Sequence, residues 1–400
     1  MNTAQESWAG VGPLTRLHAE LERQRESKLD TVIHTSMIDV QERYHVTPDK
    51  ALCVTGKRGT QGTEFFTYTT ADAAGITEHA LRQLGQKQSP PIPTKYLSEL
   101  ASVRPQDAAT LLQTEMRANP RNLFMRQLDG KVRAVMSDKY RVLDNYDLMF
   151  EALRMTEEVN ARVLSCSISE HHMRIKLIAP ELAVALDSAG GRSGMFTIGE
   201  LGDEEWQRQH GLQDVLRGFD IKPNSFMPIC EIKNSETGMG GASVSIGGCS
   251  SACFNLQVFG KMSRAVHLGR KLDVGFYSEE TVAADSKAIM LKMRDSIRGC
   301  FQEDVFGKYV AMHMQANADR ITAPTLAVDN VIKAYDLPQE DKDALLDRYM
   351  CDYAPTRGGM SQAVSRMAQD NVSRPDVASL YERASGSLIE DASVLAGTYA

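Results

Sequence analysis

Leu14, Leu17 and Leu21 recur at three- and four-residue intervals, with Arg16, Glu20, Glu22, Arg23, Arg25 and Glu26 filling the rest, and this spacing predicts an amphipathic helix over 14–28. The period then shortens to that of strands. Ala51 to Val54 and Glu64 to Tyr68 flank Gly56-Lys57-Arg58-Gly59-Thr60-Gln61-Gly62, a predicted hairpin with a basic tip. Thr70 is placed to cap a helix reaching about Leu84. Pro90, Pro91 and Pro93 interrupt the chain before helices that run from Lys95 to about Arg117.

Alternation returns at 123–128 and 132–136 around Asp129-Gly130, the strongest short hairpin signal in the chain. A helix is expected over 145–160. A second hairpin is expected from 162–168 and 173–179 around Glu170-His171-His172, and a third strand pair from 226–233 and 242–246 around Gly238-Met239-Gly240-Gly241. Between them, 187–226 is rich in Gly, Asp, Glu and Arg with little period and reads as a loop or insertion. From Glu279 to about Ala318, Val282, Ile289, Met290, Met293, Ile297, Phe301, Val305 and Val310 predict one long helix, kinked at Gly299 or Gly307. Shorter helices follow at 328–335, 339–349, 359–369 and 376–384. The expected fold class is α+β, a central antiparallel sheet of hairpins followed by a long helix and a helical C-terminal region. Three regions result: 1–120 with the N-terminal helix, hairpin and helices, the β-rich 121–275, and the helical 276–400.

The 400 residues, 42% of them hydrophobic, can bury a sizeable core. No stretch approaches the roughly 18 consecutive apolar residues of a membrane helix, and Met1-Asn2-Thr3-Ala4-Gln5-Glu6-Ser7 does not open a signal peptide, so a cytoplasmic protein without membrane partners is expected. Seven scattered cysteines fit reduced thiols rather than a disulfide framework. The formal charge of −7 argues against a protein that coats nucleic acid over its whole surface, and is compatible with a localised basic groove.

Cys249, Cys253 and His267 are zinc-ligand types, yet no second ligand pair follows, and two small buried hydrophobes are the better reading. His171 and His172 are expected in a solvated hairpin turn, pointing to opposite faces. Gly238-Met239-Gly240-Gly241 and Gly247-Gly248 do not open into a helix or supply a lysine, so turns between strands are expected instead of a phosphate cradle. No Gly-x-Ser-x-Gly, His-Glu-x-x-His or paired-carboxylate pattern stands out. Neither a catalytic residue nor a cofactor is assigned.

Basic residues interleaved with aromatics carry more information. Lys131, Arg133, Lys139, Tyr140 and Arg141 form one such segment, and Lys261, Arg264, His267, Arg270 and Lys271 another. A groove for single strands pairs cations with phosphates and aromatic faces with bases, each stacked base contributing roughly 1 to 3 kcal/mol. The competing reading is a solvated face, with Asp138 and Asp144 pairing to Arg133 and Arg141.

Several segments in order resemble a family of phage- and plasmid-encoded proteins of unassigned function. They are Ala80-Leu81-Arg82-Gln83-Leu84, Ile92-Pro93-Thr94-Lys95-Tyr96, the run from Phe124 to Arg141, Asn234-Ser235-Glu236-Thr237-Gly238, Cys253-Phe254-Asn255 and Val266-His267-Leu268-Gly269. Ser137-Asp138-Lys139-Tyr140-Arg141 is the sharpest match. Where that family often has Asp-Gly after Asn-Ser, this chain has Glu236-Thr237-Gly238. The resemblance implies a mobile-element origin, a host-cell cytoplasm, and roles such as replication, recombination or defence evasion. The predicted sheet followed by a long helix is also similar in architecture to strand-annealing proteins, which assemble around a basic groove.

The leading expectation is a non-catalytic, self-assembling protein that binds or anneals single-stranded nucleic acid. Lys131, Arg133, Lys139 and Arg141 would neutralise phosphates, Tyr140 would stack, and Lys261, Arg264, Arg270 and Lys271 would line the opposite wall. One rival is a viral structural or protein-interaction module docking through the acidic stretch that carries Asp336, Glu340, Asp341, Asp343, Asp347 and Asp352. Another is a metal-dependent enzyme acting on nucleic acid, its carboxylates assembled only in three dimensions.

Overall fold

The computed structural model describes residues 6–9, 12–44, 50–58, 64–66, 75–185, 225–250, 256–260, 264–266, 278–371 and 373–399. In chain order it has β1 (Glu6–Ala9), α1 (Pro13–Ser27), β2 (Lys28–His34), β3 (Ile38–Tyr44), β4 (Lys50–Arg58), β5 (Glu64–Phe66), β6 (Gly75–Ile76), α2 (Glu78–Gln86), α3 (Thr94–Val103) and α4 (Pro105–Ala118). Then come β7 (Asn122–Leu128), β8 (Lys131–Ser137), α5 (Asn145–Glu158), β9 (Arg162–Ile168), β10 (Met173–Ile178), β11 (Val184–Ala185), β12 (Ser225–Asn234), β13 (Ala242–Ser250), β14 (Leu256–Val258) and β15 (Arg264–Val266). The remainder is helical: α6 (Glu279–Cys300), α7 (Glu303–Ala318), α8 (Pro324–Ala334), α9 (Lys342–Asp352), α10 (Arg357–Asp370) and α11 (Pro375–Glu390).

The fold is α+β. The largest sheet runs β1-β9-β10-β12-β13-β14, with β11 pairing to β12 and β15 to β13, all antiparallel. Its apolar face, with Ile175, Leu177, Cys230, Ile232, Val244 and Ile246, buries against α1, α5, α6 and α7 through Leu17, Met155, Met293, Ile297 and Phe306. A second sheet, β2-β7-β8-β6, packs on α2, α3 and α4 through Leu84, Leu97, Leu112, Leu123 and Val135. The β2–β7 pairing reaches across position 120, so the N-terminal elements and the first central hairpin share one sheet. β3-β4-β5 form a third sheet, and α8 to α11 enclose their own core around Val331, Tyr349, Val364 and Tyr381.

Asp129 and Gly130 adopt φ of 51° and 75°, the left-handed pair that a two-residue hairpin turn needs. Four expectations change. The helix expected from Thr70 begins at Glu78, because Thr77 is the cap, its hydroxyl accepting from Ala80 N at 3.3 Å, and Gly75–Ile76 is strand. Gly56, Lys57 and Arg58 lie within β4, paired to β5, instead of in the turn. Gly247 and Gly248 sit inside β13, where a Cβ on Gly248 would fall 1.9 Å from the Phe226 ring, so Gly248 admits an aromatic ring over the sheet, and one on Gly247 would fall 2.3 Å from Gln257 O. The long helix is two: the chain breaks at Phe301 and extended Gln302, which buries Phe301 and lets Phe306 stack on Phe226 at 5.7 Å. Gly307 is inside α7. The expected loop at 187–226 lies almost wholly outside the described residues.

Helix α11 crosses the polar face of the large sheet closely enough that a Cβ on Gly386 would lie 2.1 Å from Val258 O, whereas one on Gly307 meets nothing within 4 Å. Gly386→Val is therefore expected to destabilise by about 1 to 3 kcal/mol through overpacking. Gly307→Ala should stabilise by about 0.5 to 1 kcal/mol through helix propensity, both measured by urea denaturation.

Candidate nucleic-acid interface

The basic segment of the sequence analysis occupies β8 and the turn after it. In β7, Leu123 and Met125 face the helices of the second sheet, while Phe124 and Arg126 face the opposite way with Ala134 and Met136. Strict alternation would place Arg133 with Val135 in the apolar layer. A register shift after Arg126 leaves Arg133 without a cross-strand partner in the β7–β8 ladder, and this irregularity turns it outward to the Arg126 side.

What meets it there is the turn between β12 and β13. Gly238, at φ 78°, packs under Met136, and Met239 N donates to Ser235 Oγ at 3.0 Å. This presents Glu236, only 6% exposed, to three cations. Arg133 Nη2 pairs with Glu236 Oε2, and Lys28 Nζ lies 3.5 Å from Oε1, which also accepts from Asn145 N at 2.9 Å. Arg126, with no exposed surface, makes a two-point pair with Asp30 at 3.0 and 2.8 Å, reaches Asp144 at 2.7 Å, and donates to Glu236 O at 3.3 Å. Lys28 also pairs with Asp144. Three cations thus meet three carboxylates. Burial by itself would raise the Glu236 carboxyl, but Arg133, Arg126 and Lys28 outweigh it and hold its pKa at about 2.

Neighbouring bonds fix the same turn. Thr237 O accepts from His79 Nε2 at 2.9 Å and Gln83 Nε2 at 2.8 Å, and Asn234 Nδ2 donates to Leu143 O at 3.0 Å. Tyr140 is half-buried, stacked on Phe124 at 6.2 Å, and its hydroxyl donates to Ser235 O at 3.4 Å. Arg141 pairs with Asp285 of α6. Asp144 therefore serves Lys28 and Arg126, not Arg141. Of the first segment only Lys139 is exposed, with Lys131 half-buried.

In the second segment, Arg264 opens β15, paired to Val244 at the sheet edge, while Lys261, His267, Arg270 and Lys271 lie outside the described residues. Cys249 is fully buried in β13, whereas Cys253 lies outside them; no His, Cys, Asp and Glu group able to hold a metal occurs among those described. The histidine turn is not solvated: the His171 ring lies 5.1 Å from that of His79, and His172 Nδ1 is 3.0 Å from Asp376 Oδ1. No family model, curated protein or solved structure matches the chain.

Lys28, Asp30, Arg126 and Glu236 were not among the expected site residues. The signal for Arg126 is present in Leu123-Phe124-Met125-Arg126-Gln127-Leu128, because a cation inside an apolar strand requires a buried acid. Glu236→Gln leaves that cation group unbalanced and should cost about 3 to 5 kcal/mol at pH 7. Because the folded carboxyl titrates below its unfolded value, the contribution is complete above about pH 4.5 and is lost as pH falls toward 2. Urea denaturation across that window should show a smaller loss in Glu236→Gln than in the unaltered protein.

Proposed function

We propose that this chain is a non-catalytic, self-assembling protein that binds single-stranded nucleic acid, its strand contact made by the 261–271 segment, the exposed Lys139 and the half-buried Lys131. The observation that carries this reading is a charge distribution. Between 261 and 271 the chain has Lys261, Arg264, Arg270 and Lys271 and no acid, and Arg264 opens β15, which pairs with β13 of the large sheet. Arg133 and Arg141 are removed from the earlier phosphate-binding set, because Glu236 and Asp285 already neutralise them. Tyr140 is removed as a free stacking platform, because Phe124 and Ser235 engage it. With a formal charge of −7, attraction to phosphates is confined to where cations outnumber acids.

A second reading, a module that docks a basic partner, is favoured by α9. Asp343, Asp347 and Met350 share one helix side, and all three are exposed, Met350 to 58%. No helix among the described residues is long and apolar enough to cross a membrane.

A fluorescent single-stranded oligonucleotide should bind at low salt, with log affinity falling against log salt by about 0.7 per neutralised phosphate. Reversing Lys261, Arg264, Arg270 and Lys271 to Glu should weaken binding by at least about tenfold and flatten that slope. Absence of binding at low salt overturns the reading, and oligomers in light scattering that ignore the oligonucleotide favour the module.

A further inference from the structure

A second charged cluster lies on the polar face of the large sheet. Arg174 and Lys176 of β10 stand opposite Lys233 and Glu231 of β12, so the four side chains share one face. Helix α11 crosses them. Its Asp376 accepts from Arg174 Nη2 at 2.7 Å and contacts His172, its Glu382 accepts from Lys176 Nζ at 2.6 Å, and its Arg383 donates to Glu231 Oε2 at 2.8 Å.

These bonds leave a surplus of positive charge. Four cations face three carboxylates, and the half-buried side chain of Lys233 makes no hydrogen bond or ion pair among the described residues. Arg174 is 4% exposed, yet its Nε and Nη1 have no acceptor, and neither has Arg383 Nε. Glu231 Oε1, 4.0 Å from Arg174 Nε, and His172 Nε2 are also without hydrogen-bond partners. Buried donors without acceptors are costly, and several converging on one corner suit an anion that supplies the missing oxygens. The corner is reachable, since Arg383 keeps 34% of its side chain exposed.

We propose that Lys233, Arg174 and Arg383 form a binding site for a phosphate group in the corner between α11 and the β12–β13 strands. Lys233 supplies a charge without a resident partner, Arg174 supplies donors from the sheet floor, and half-exposed Ser243, opposite Lys233 on β13, adds a hydroxyl. The same cross-strand row continues to Ala265 of β15. The phosphate could therefore be a free anion or a group on a strand held by the 261–271 segment. The second source rests on the nucleic-acid reading above, whereas the site does not.

The unliganded site has a pH signature. Burial, then Arg383 and Arg174, lower Lys233 to about 8, against the opposing pull of Glu231 and Asp376. An anion needs the charged ammonium, so its affinity should fall as pH rises through 8. His172, Lys176 and Glu382 are the other titratable groups of the cluster, and burial lowers His172 and raises Glu382.

The test is thermal unfolding of the full chain with inorganic phosphate against chloride at constant ionic strength. Phosphate should raise the midpoint of the unaltered protein, more at pH 7 than at pH 9. In Lys233→Gln the apparent phosphate affinity should fall by about tenfold, the scale of one charge-assisted bond, with stability in chloride unchanged or improved. The proposal is overturned if phosphate gives no shift, if the shift survives Lys233→Gln, or if that variant is markedly destabilised in chloride. A parallel oligonucleotide titration separates the sources: binding weakened in Lys233→Gln assigns a strand phosphate, and binding unchanged assigns a free one. Glu reversals at 261–271 that abolish oligonucleotide binding but preserve the phosphate shift leave the site independent of the strand.

Discussion

A carboxylate buried where two sheets meet is the constraint from which most of this structure follows. Glu236 leaves water on a turn between two strands of the large sheet, and desolvation alone would make that unfavourable. It is tolerated because Arg133 comes from β8, Lys28 from the start of β2 and a backbone amide from the start of α5. Arg126, anchored by Asp30 and Asp144, closes the group. Removing any one member leaves an uncompensated buried charge, so the network specifies how the hairpins and α5 sit together.

This arrangement also decides which cations are available to a ligand. Arg133 and Arg141 stand out in the sequence because they flank a lysine and a tyrosine, yet each has an acid from a distant part of the chain. The polar side of the large sheet follows the same rule under α11, where Arg174, Lys176 and Glu231 are buried with partners. Lys233 departs from the rule, as the cation in that group without a counter-ion among the described residues.

The sequence made the local elements legible where one face is apolar and turn chemistry is unambiguous. The Asp129-Gly130 hairpin, α1, α5 and the β9–β10 and β12–β13 pairs all follow from period and turn residues alone. Illegible features depend on contacts distant in sequence. The shift that re-aims Arg133 has no local signature, and neither has the burial of His171 and His172 against α2 and α11. The break at Phe301 lies close to the kink that Gly299 signals, but apolar spacing continuing across it hid that the helix ends there, and Gly248 reads as a turn residue until Phe226 is placed over it. At the candidate site, residue types singled out the segment that carries Arg133 and Arg141, but local pairing rules named Asp138 and Asp144 as acids where Glu236 and Asp285 serve.

The central claim, that Glu236 and Arg133 hold the hairpins together as a buried pair, is tested most directly by a double-mutant cycle. Arg133→Met, Glu236→Leu and the double variant would be compared by urea denaturation at neutral pH. The account predicts that the double variant recovers stability lost in the single ones, with a coupling energy of about 2 to 3 kcal/mol. Single-variant costs that simply add would contradict it.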